Sequence, residues 1–349
     1  MFSCLTIDVE DWFHILDSSA VPDIRHWPSL ESRIEKNLDH LLNLLDSFSV
    51  KVTLFWLGWL AERHKDLVRK CQDAGHEIAS HGYAHVLAYQ VGMRAFRRDI
   101  SDAKQILEDI TGEPIRGFRA AGFGITEEAD WAFDVIKEAG YEYDSSVFPA
   151  SRGHGGIPNS PLGPYFIETH SGHLLEIPMS VVKILGYRTS FFGGGYLRLA
   201  NIRTIKWGID RLLAANQPLI VYVHPRELDP DHPRLPLSLF RKFKSYVNLN
   251  STFPKLKWLC ESYPFYTMLQ MVENYIKSFY LDSRVIPVLR LQENKVADAS
   301  TLPSIRTLPL DRDAFRDRLL LVEREMASFL SVKTFHSHAT AEMEVTTSV

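Results

Sequence analysis

The chain is poor in cysteine. Cys4, Cys71 and Cys260 are the only three in 349 residues, and they are far apart and form no C-x-x-C. An odd, scattered set offers no disulfide framework and reads as small buried thiols in a reducing compartment. Long hydrophobic runs are also missing: no stretch of about 18 uncharged apolar residues occurs, so no transmembrane helix is expected. The N-terminus, Met1-Phe2-Ser3-Cys4-Leu5-Thr6, has no basic region and meets acid at Asp8, unlike a secretory signal. A cytoplasmic location is the expectation. Excess positive charge is absent too: the net charge is -4, which argues against nucleic acid as a partner. No internal repeat is visible. What remains is an ordinary globular balance, 45% hydrophobic and 23% charged, in a length that suits one large domain or two modest ones.

Short β-rich runs alternate with longer helical ones. Leu5 to Val9 is an apolar run ending in acids. Ile34, Leu38, Leu41, Leu45 and Phe48 keep a helical period. Val52 to Leu57 predicts a strand, Glu62 to Ala74 a helix stopped by Gly75, and His76 to Ser80 a further strand. Phe96, Ile100, Ala103, Leu107 and Ile110 share a helical face ahead of Gly112, and Gly117 to Ala121 predicts the next strand. Thr126, followed by Glu127 and Glu128, predicts a capped helix running to Ala139. Tyr143 to Ser145, Leu174 to Ile177 and Leu219 to Val223 complete the strands, with a helix from Ile202 to Ala215. Ser151 to Gly172, and Phe191 to Tyr196, read as loops.

This alternation predicts an α/β fold with a parallel sheet, open or closed into a barrel. Beyond about Tyr275 the character changes. The sequence divides into a catalytic segment, 1–275, and an extension, 276–349. The extension comprises a linker over Leu291 to Leu310, a narrow amphipathic helix with Phe315, Leu319, Val322, Met326 and Phe329, and a polar tail. In parallel α/β barrels chemistry gathers where strands end. Asp8 to Asp11, His81, Arg119, Asp144 and His224 each follow an apolar run, so five strands bring polar groups to one end.

His81 and His85, four apart with Gly82 between, have the spacing at which two imidazoles meet one metal ion. Two solvated loop histidines would show the same spacing. The helical metalloprotease pattern does not fit, because Ser80 stands where its second histidine belongs. In Asp8-Val9-Glu10-Asp11 the acids end a strand instead of lying along a charged helix, and Asp8 and Glu10 share one face of an extended chain. One carboxylate there suits a third metal ligand and another a general base. Two histidines and a carboxylate leave a coordination place for water, as in catalytic zinc sites. His224 at a strand end suits a general acid or a neutral core histidine. Arg119 suits a clamp on a carboxylate or a surface ion pair.

Five stretches occur in order: Thr6-Ile7-Asp8-Val9-Glu10-Asp11-Trp12-Phe13, Gly75 through His85, Gly117-Phe118-Arg119-Ala120-Ala121-Gly122-Phe123, Tyr143-Asp144-Ser145-Ser146-Val147-Phe148-Pro149 and Val223-His224-Pro225. Through these the chain resembles the polysaccharide deacetylases, the NodB-like carbohydrate esterases, over residues 1–275. It is most similar to their exopolysaccharide and exosortase-associated branch. The resemblance implies an incomplete or distorted (β/α) barrel, with a C-terminal helical extension here. It also implies hydrolysis of N-acetyl groups on hexosamines of a polysaccharide, and a divalent metal ion, zinc by default. In this family Asp8 would be the base, His81 and His85 metal ligands, Arg119 the clamp on the base, His224 the acid and Asp144 its support. A backbone N–H near Gly122 would help hold an oxyanion.

Two departures from the family pattern stand out. The family's adjacent aspartates are replaced by Asp8-Val9-Glu10-Asp11, which leaves Glu10 or Asp11 as the carboxylate ligand. Its usual proline in the third stretch is replaced by Ala120-Ala121. Two rival readings remain: a metal-free cyclic amide or ureide hydrolase on the same barrel, and a non-catalytic sugar-binding component of a polymer-export complex. Trp12, Phe13, Phe123, Phe148 and Tyr196 suit either a sugar groove or a core. An N-acetylated polysaccharide or oligosaccharide is the expected partner.

Overall fold

A computed structural model describes residues 2–16, 20–151, 153, 155–282 and 288–290. Among the described residues eleven strands are formed: β1 Ser3–Val9, β2 Thr53–Trp56, β3 Glu77–Ser80, β4 Gly117–Phe118, β5 Tyr143–Asp144, β6 Tyr165–Thr169, β7 Gly172–Glu176, β8 Val182–Ile184, β9 Tyr187–Thr189, β10 Leu219–Val223 and β11 Val288–Arg290. Nine make one sheet in the order β10-β1-β2-β3-β4-β5-β7-β6-β11; β8 and β9 form a separate hairpin. From β10 through β7 every neighbouring pair is parallel. β10 and β11 end the order without pairing to each other, so this is the expected incomplete barrel.

The parallel strands explain the apolar runs in the sequence. Every residue of β1, β2 and β10 is buried, as befits strands covered on both faces. Helices cover the sheet with periodic faces. Ile34–Ser47 buries Leu38, Leu41 and Leu45, and Ala88–Thr111 buries Phe96, Ile100, Ala103, Leu107 and Ile110, ending at left-handed Gly112. Each such leucine or phenylalanine contributes about 1.5–3 kcal/mol by leaving water.

Several local expectations are corrected. The helix foreseen over Glu62 to Ala74 is two, Gly58–Arg63 and Lys65–Asp73, broken at non-helical His64. The first starts early because the N–H groups of Gly58 and Trp59 donate to the carbonyls of Gly82 and Tyr83, which supplies partners for two orphan amides. Thr126 caps nothing: its hydroxyl turns to the Glu128 carboxylate, and the regular helix, Trp131–Glu138, begins only after a 3₁₀ turn. The loop foreseen from Ser151 to Gly172 contains β6, which pairs antiparallel with β7. In the loop foreseen from Phe191 to Tyr196, a short helix, Gly194–Leu199, begins.

Past β10 the chain forms the helices Leu239–Tyr246, Thr252–Ser262 and Met268–Asp282. The linker, amphipathic helix and tail foreseen after Leu291 lie outside the described residues. No helix among the described residues is long and apolar enough to cross a membrane.

Candidate metal centre and catalytic site

The parallel register brings the ends of β1, β2 and β3 side by side, and β10 returns against β1 to deliver His224 next to Asp8. In β1, Val9 lies opposite Trp56 of β2, and Trp56 lies opposite Ser80 of β3. The His81 N–H then donates to the Trp56 carbonyl, which fixes the chain where β3 ends. All eight foreseen site residues, Asp8, Glu10, Asp11, His81, His85, Arg119, Asp144 and His224, lie toward this end of the sheet, and all but the partly exposed His224 are buried.

Glu10, His81 and His85 form the centre. Glu10 Oε1 stands 3.3 Å from His81 Nε2 and 2.9 Å from His85 Nε2. His81 Nδ1 donates to the Arg119 carbonyl at 2.7 Å. A carbonyl only accepts, so the neutral ring carries its proton on Nδ1 and turns a bare Nε2 lone pair toward Glu10. His85 Nε2 is buried and, despite its close approach to Glu10, is not aligned for a hydrogen bond. Three ligand atoms within 4.8 Å of one another, one of them an orphaned buried nitrogen, fit a divalent cation. Burial works to raise the Glu10 pKa, but the neighbouring imidazoles, His85 first and then His224, outweigh it. The carboxyl is held well below its ordinary range, ready as an anionic ligand.

The loop carrying the histidines is held by a residue the sequence reading missed. Asp99, on the helix Ala88–Thr111, accepts from the backbone N–H groups of Tyr83 and Ala84, each at 2.8 Å. Gly82 sits at φ +76°, where a Cβ would come within 2.5 Å of Asp99 Oδ2. The glycine between the histidines is therefore demanded by both its conformation and its neighbour.

Arg119 is fully buried. Its Nη1 donates to Asp8 Oδ1 at 2.7 Å and to Thr6 Oγ1 at 2.8 Å, its Nη2 to Ser145 Oγ, and its guanidinium carbon lies 4.1 Å from the Phe55 ring centre. This is the contact that the expected clamp on Asp8 requires. The other oxygen, Asp8 Oδ2, faces His224 Nε2 at 3.9 Å, and the same nitrogen is 3.6 Å from Glu10 Oε1.

Two assignments change. Asp11 is turned away from the centre: its carboxylate accepts from Trp12 N–H, Ser32 Oγ and Arg33 N–H, at 2.8, 2.6 and 3.0 Å. It ties the loop after β1 to the start of the helix at Ile34, and Glu10 is the carboxylate among the histidines. Asp144 does not support His224. It accepts from Ser146 Oγ at 2.5 Å, and Ser146 Oγ accepts from Ala120 N–H, so Asp144 props the strand end that carries Arg119. Burial raises its pKa to about 6 despite a hydrogen bond from Glu176, which burial and the Asp144 charge keep protonated.

The partner of His224 is Glu227, in the 3₁₀ turn Pro225–Leu228. His224 Nδ1 and Glu227 Oε1 are 2.8 Å apart. Burial opposes the charge on Glu227, but Arg198 and His224 overcome it and hold its pKa at about 2. Burial would lower the His224 pKa, yet Glu10 and Glu227 together raise it, which favours an imidazolium with Nε2–H directed at the centre. The sequence did signal Glu227, as an acid three residues beyond a strand-end histidine.

His14 was also missed. Its Nδ1 accepts from Asp11 N–H at 2.9 Å, and burial, then the His85 charge, depress its pKa well below the ordinary value. Of the aromatics, Trp12, Phe13, Phe123 and Phe148 are core, and Phe13 meets Trp12 and Trp59 edge-on and Trp27 at a tilt; Tyr196 is exposed.

Residues 28–143 match the family model for polysaccharide deacetylase, and residues 145–273 match a domain of unknown function, DUF3473. The candidate site draws on three segments. Asp8 and Glu10 precede the first match, His81, His85 and Arg119 fall within it, and Arg198, His224 and Glu227 come from the second.

Among curated proteins, the chain is 33% identical over 102 residues to a peptidoglycan-N-acetylglucosamine deacetylase of Bacillus cereus. That alignment covers 29% of this chain and 46% of the relative. It is 24% identical over 113 residues to a peptidoglycan deacetylase of Helicobacter pylori, covering 32% of this chain and 38% of the relative. The matches thus span less than half of these relatives.

Among solved structures, a protein from Mycobacterium smegmatis described as a candidate polysaccharide deacetylase aligns with TM-score 0.50 and 16% identity, over 85% of this chain and 96% of that one. Puue allantoinase aligns with TM-score 0.52 and 19% identity, over 79% and 90%. These structures share the fold. Over these stretches the family model and the curated relatives make the chain similar to polysaccharide deacetylases.

Proposed function

We propose, on the premise that the chain is a polysaccharide deacetylase of the NodB type, that it is a metal-dependent hydrolase removing N-acetyl groups from hexosamine residues of a polysaccharide. Glu10, His81 and His85 would hold the ion, zinc by default, although a nitrogen and oxygen set also accepts cobalt, nickel or manganese. Bound there, such an ion supplies Lewis acidity toward an amide carbonyl and lowers the pKa of water. Residues 1–275 would form the catalytic unit and 276–349 an extension. The intended polymer would be an exopolysaccharide under construction, met in the cytoplasm.

The chain's own groups divide the proton work. Arg119 holds Asp8 through Oδ1, which leaves Oδ2 as the base that takes a proton from attacking water. His224, charged and steadied through Nδ1 by Glu227, gives the Nε2 proton to the amide nitrogen as the C–N bond breaks. Acetate and a free amine result. The carrying observation is the convergence of Glu10, His81 and His85 beside Asp8 and His224. Elemental analysis of the purified protein, combined with acetate release from a panel of N-acetylated oligosaccharides, tests it. A metal-free preparation with full activity would sink the reading.

The fold shared with an allantoinase keeps a second reading in view, a metal-free hydrolase of cyclic amides or ureides. Three retained ligand atoms, one an orphaned buried nitrogen, favour the first. A sugar-binding component without catalysis would not need the Asp8–Arg119 and His224–Glu227 pairs.

A further inference from the structure

Outside the site, the helix Leu239–Tyr246 presents an uncovered apolar face. Leu239 is 88% exposed, Phe240 72% and Phe243 53%, at spacings that put them on one side. Its other side is anchored. Tyr246 is buried and its hydroxyl accepts from Leu235 N–H at 2.9 Å; Arg198 Nη2 donates to the Lys244 carbonyl at 2.7 Å. Arg241 Nη1 donates to the carbonyl of Leu16, on the loop after β1 that begins with Glu10 and Asp11. The helix therefore borders the end of the sheet where the site opens. Tyr196 and Leu199, also partly exposed, lie on the adjoining helix Gly194–Leu199.

Charge identifies what covers this face. The chain as a whole is acidic, at -4, yet residues 232–246 contain Arg234, Arg241, Lys242 and Lys244 and no Asp or Glu. Three of these basic residues are on the helix itself. Leu and Phe on one side with Lys and Arg beside them is the composition of a helix lying in a membrane interface. A second copy would bring like charges together across the contact. A neutral acetylated glycan would offer the lysines no counter-charge, and nothing for which an almost fully exposed Leu239 is suited.

We propose that the face of Leu239, Phe240 and Phe243 docks on a membrane surface bearing anionic lipid, with the neighbouring basic residues engaging its headgroups. The proposal does not depend on the deacetylase reading, because its primary readout is binding.

The test is co-sedimentation of the full chain with phosphatidylcholine/phosphatidylglycerol vesicles against pure phosphatidylcholine vesicles. Partition onto the anionic vesicles should be at least ~10-fold stronger and should weaken with added salt. The triple change Leu239→Ser, Phe240→Ser and Phe243→Ser should lower it ~10-fold or more. The pair Lys242→Glu and Lys244→Glu should remove the preference for anionic vesicles. Since these side chains are exposed, both variants should keep the parent's melting temperature and its activity on soluble oligosaccharide. Three outcomes would overturn the proposal: no vesicle binding by the parent, equal binding by parent and triple variant, or self-association or glycan capture lost in the triple variant while vesicle binding is absent.

Discussion

His224 Nδ1 meets Glu227 Oε1 at 2.8 Å, while Asp144, the partner expected from family resemblance, is engaged with Ser146 and Glu176. The charge of Glu227 helps raise the His224 pKa. Glu227→Gln should therefore lower kcat by ~10–100-fold and move the alkaline limb of the pH–rate profile to lower pH, with metal content unchanged. Asp144→Asn should leave that limb in place and instead lower the melting temperature. A limb that follows Asp144 and ignores Glu227 would reverse the assignment.

His81→Ala and His85→Ala should lose bound metal and activity together, since each removes one of three ligand atoms. His224→Ala should keep the metal and lose turnover by ~10²–10⁴-fold, the usual share of proton transfer. Inductively coupled plasma analysis beside an acetate assay reads both quantities.

The histidine loop depends on Asp99 and Gly82. Asp99→Ala removes the acceptor for two backbone N–H groups, and should weaken metal affinity by ~10–100-fold without touching a ligand. Gly82→Ala places a methyl at φ +76° against Asp99, and should cost about 1–3 kcal/mol of stability as well. Metal titration and thermal unfolding separate the two effects.

Chelation should expose how far the centre supports the fold. An ion at ~100 times its dissociation constant adds about 2.7 kcal/mol. Stripping should lower the melting temperature of the parent and leave that of His81→Ala unchanged. An equal drop in both would place the chelator's effect elsewhere.

Buried His76 gives a pH test remote from the site. Burial, then the Lys51 charge, lower its pKa from 6.5 to about 4, so it is neutral in the fold where the unfolded chain binds a proton. Stability should be full above pH 6.5 and fall as pH drops from 6.5 toward 4, by at most about 3 kcal/mol from this residue. Denaturant melts of His76→Gln should show a shallower decline across that window.

The sequence by itself determined the strand–helix alternation and the parallel sheet, and it named five residues that the structure brings together in the candidate site: Asp8, His81, His85, Arg119 and His224. It could do so because parallel strands buried on both faces appear as apolar runs, and a polar residue ending such a run must lie at one rim of the sheet. Only the tertiary structure decided between Glu10 and Asp11, because the backbone amides that claim Asp11 lie at Trp12 and more than twenty residues away at Arg33. It alone gave His224 to Glu227, set Asp99 beneath the histidine loop and paired β6 with β7. Periodicity records which face of an element is buried. It carries no distance between elements, and hydrogen bonds with a reach of about 3 Å are settled by that distance.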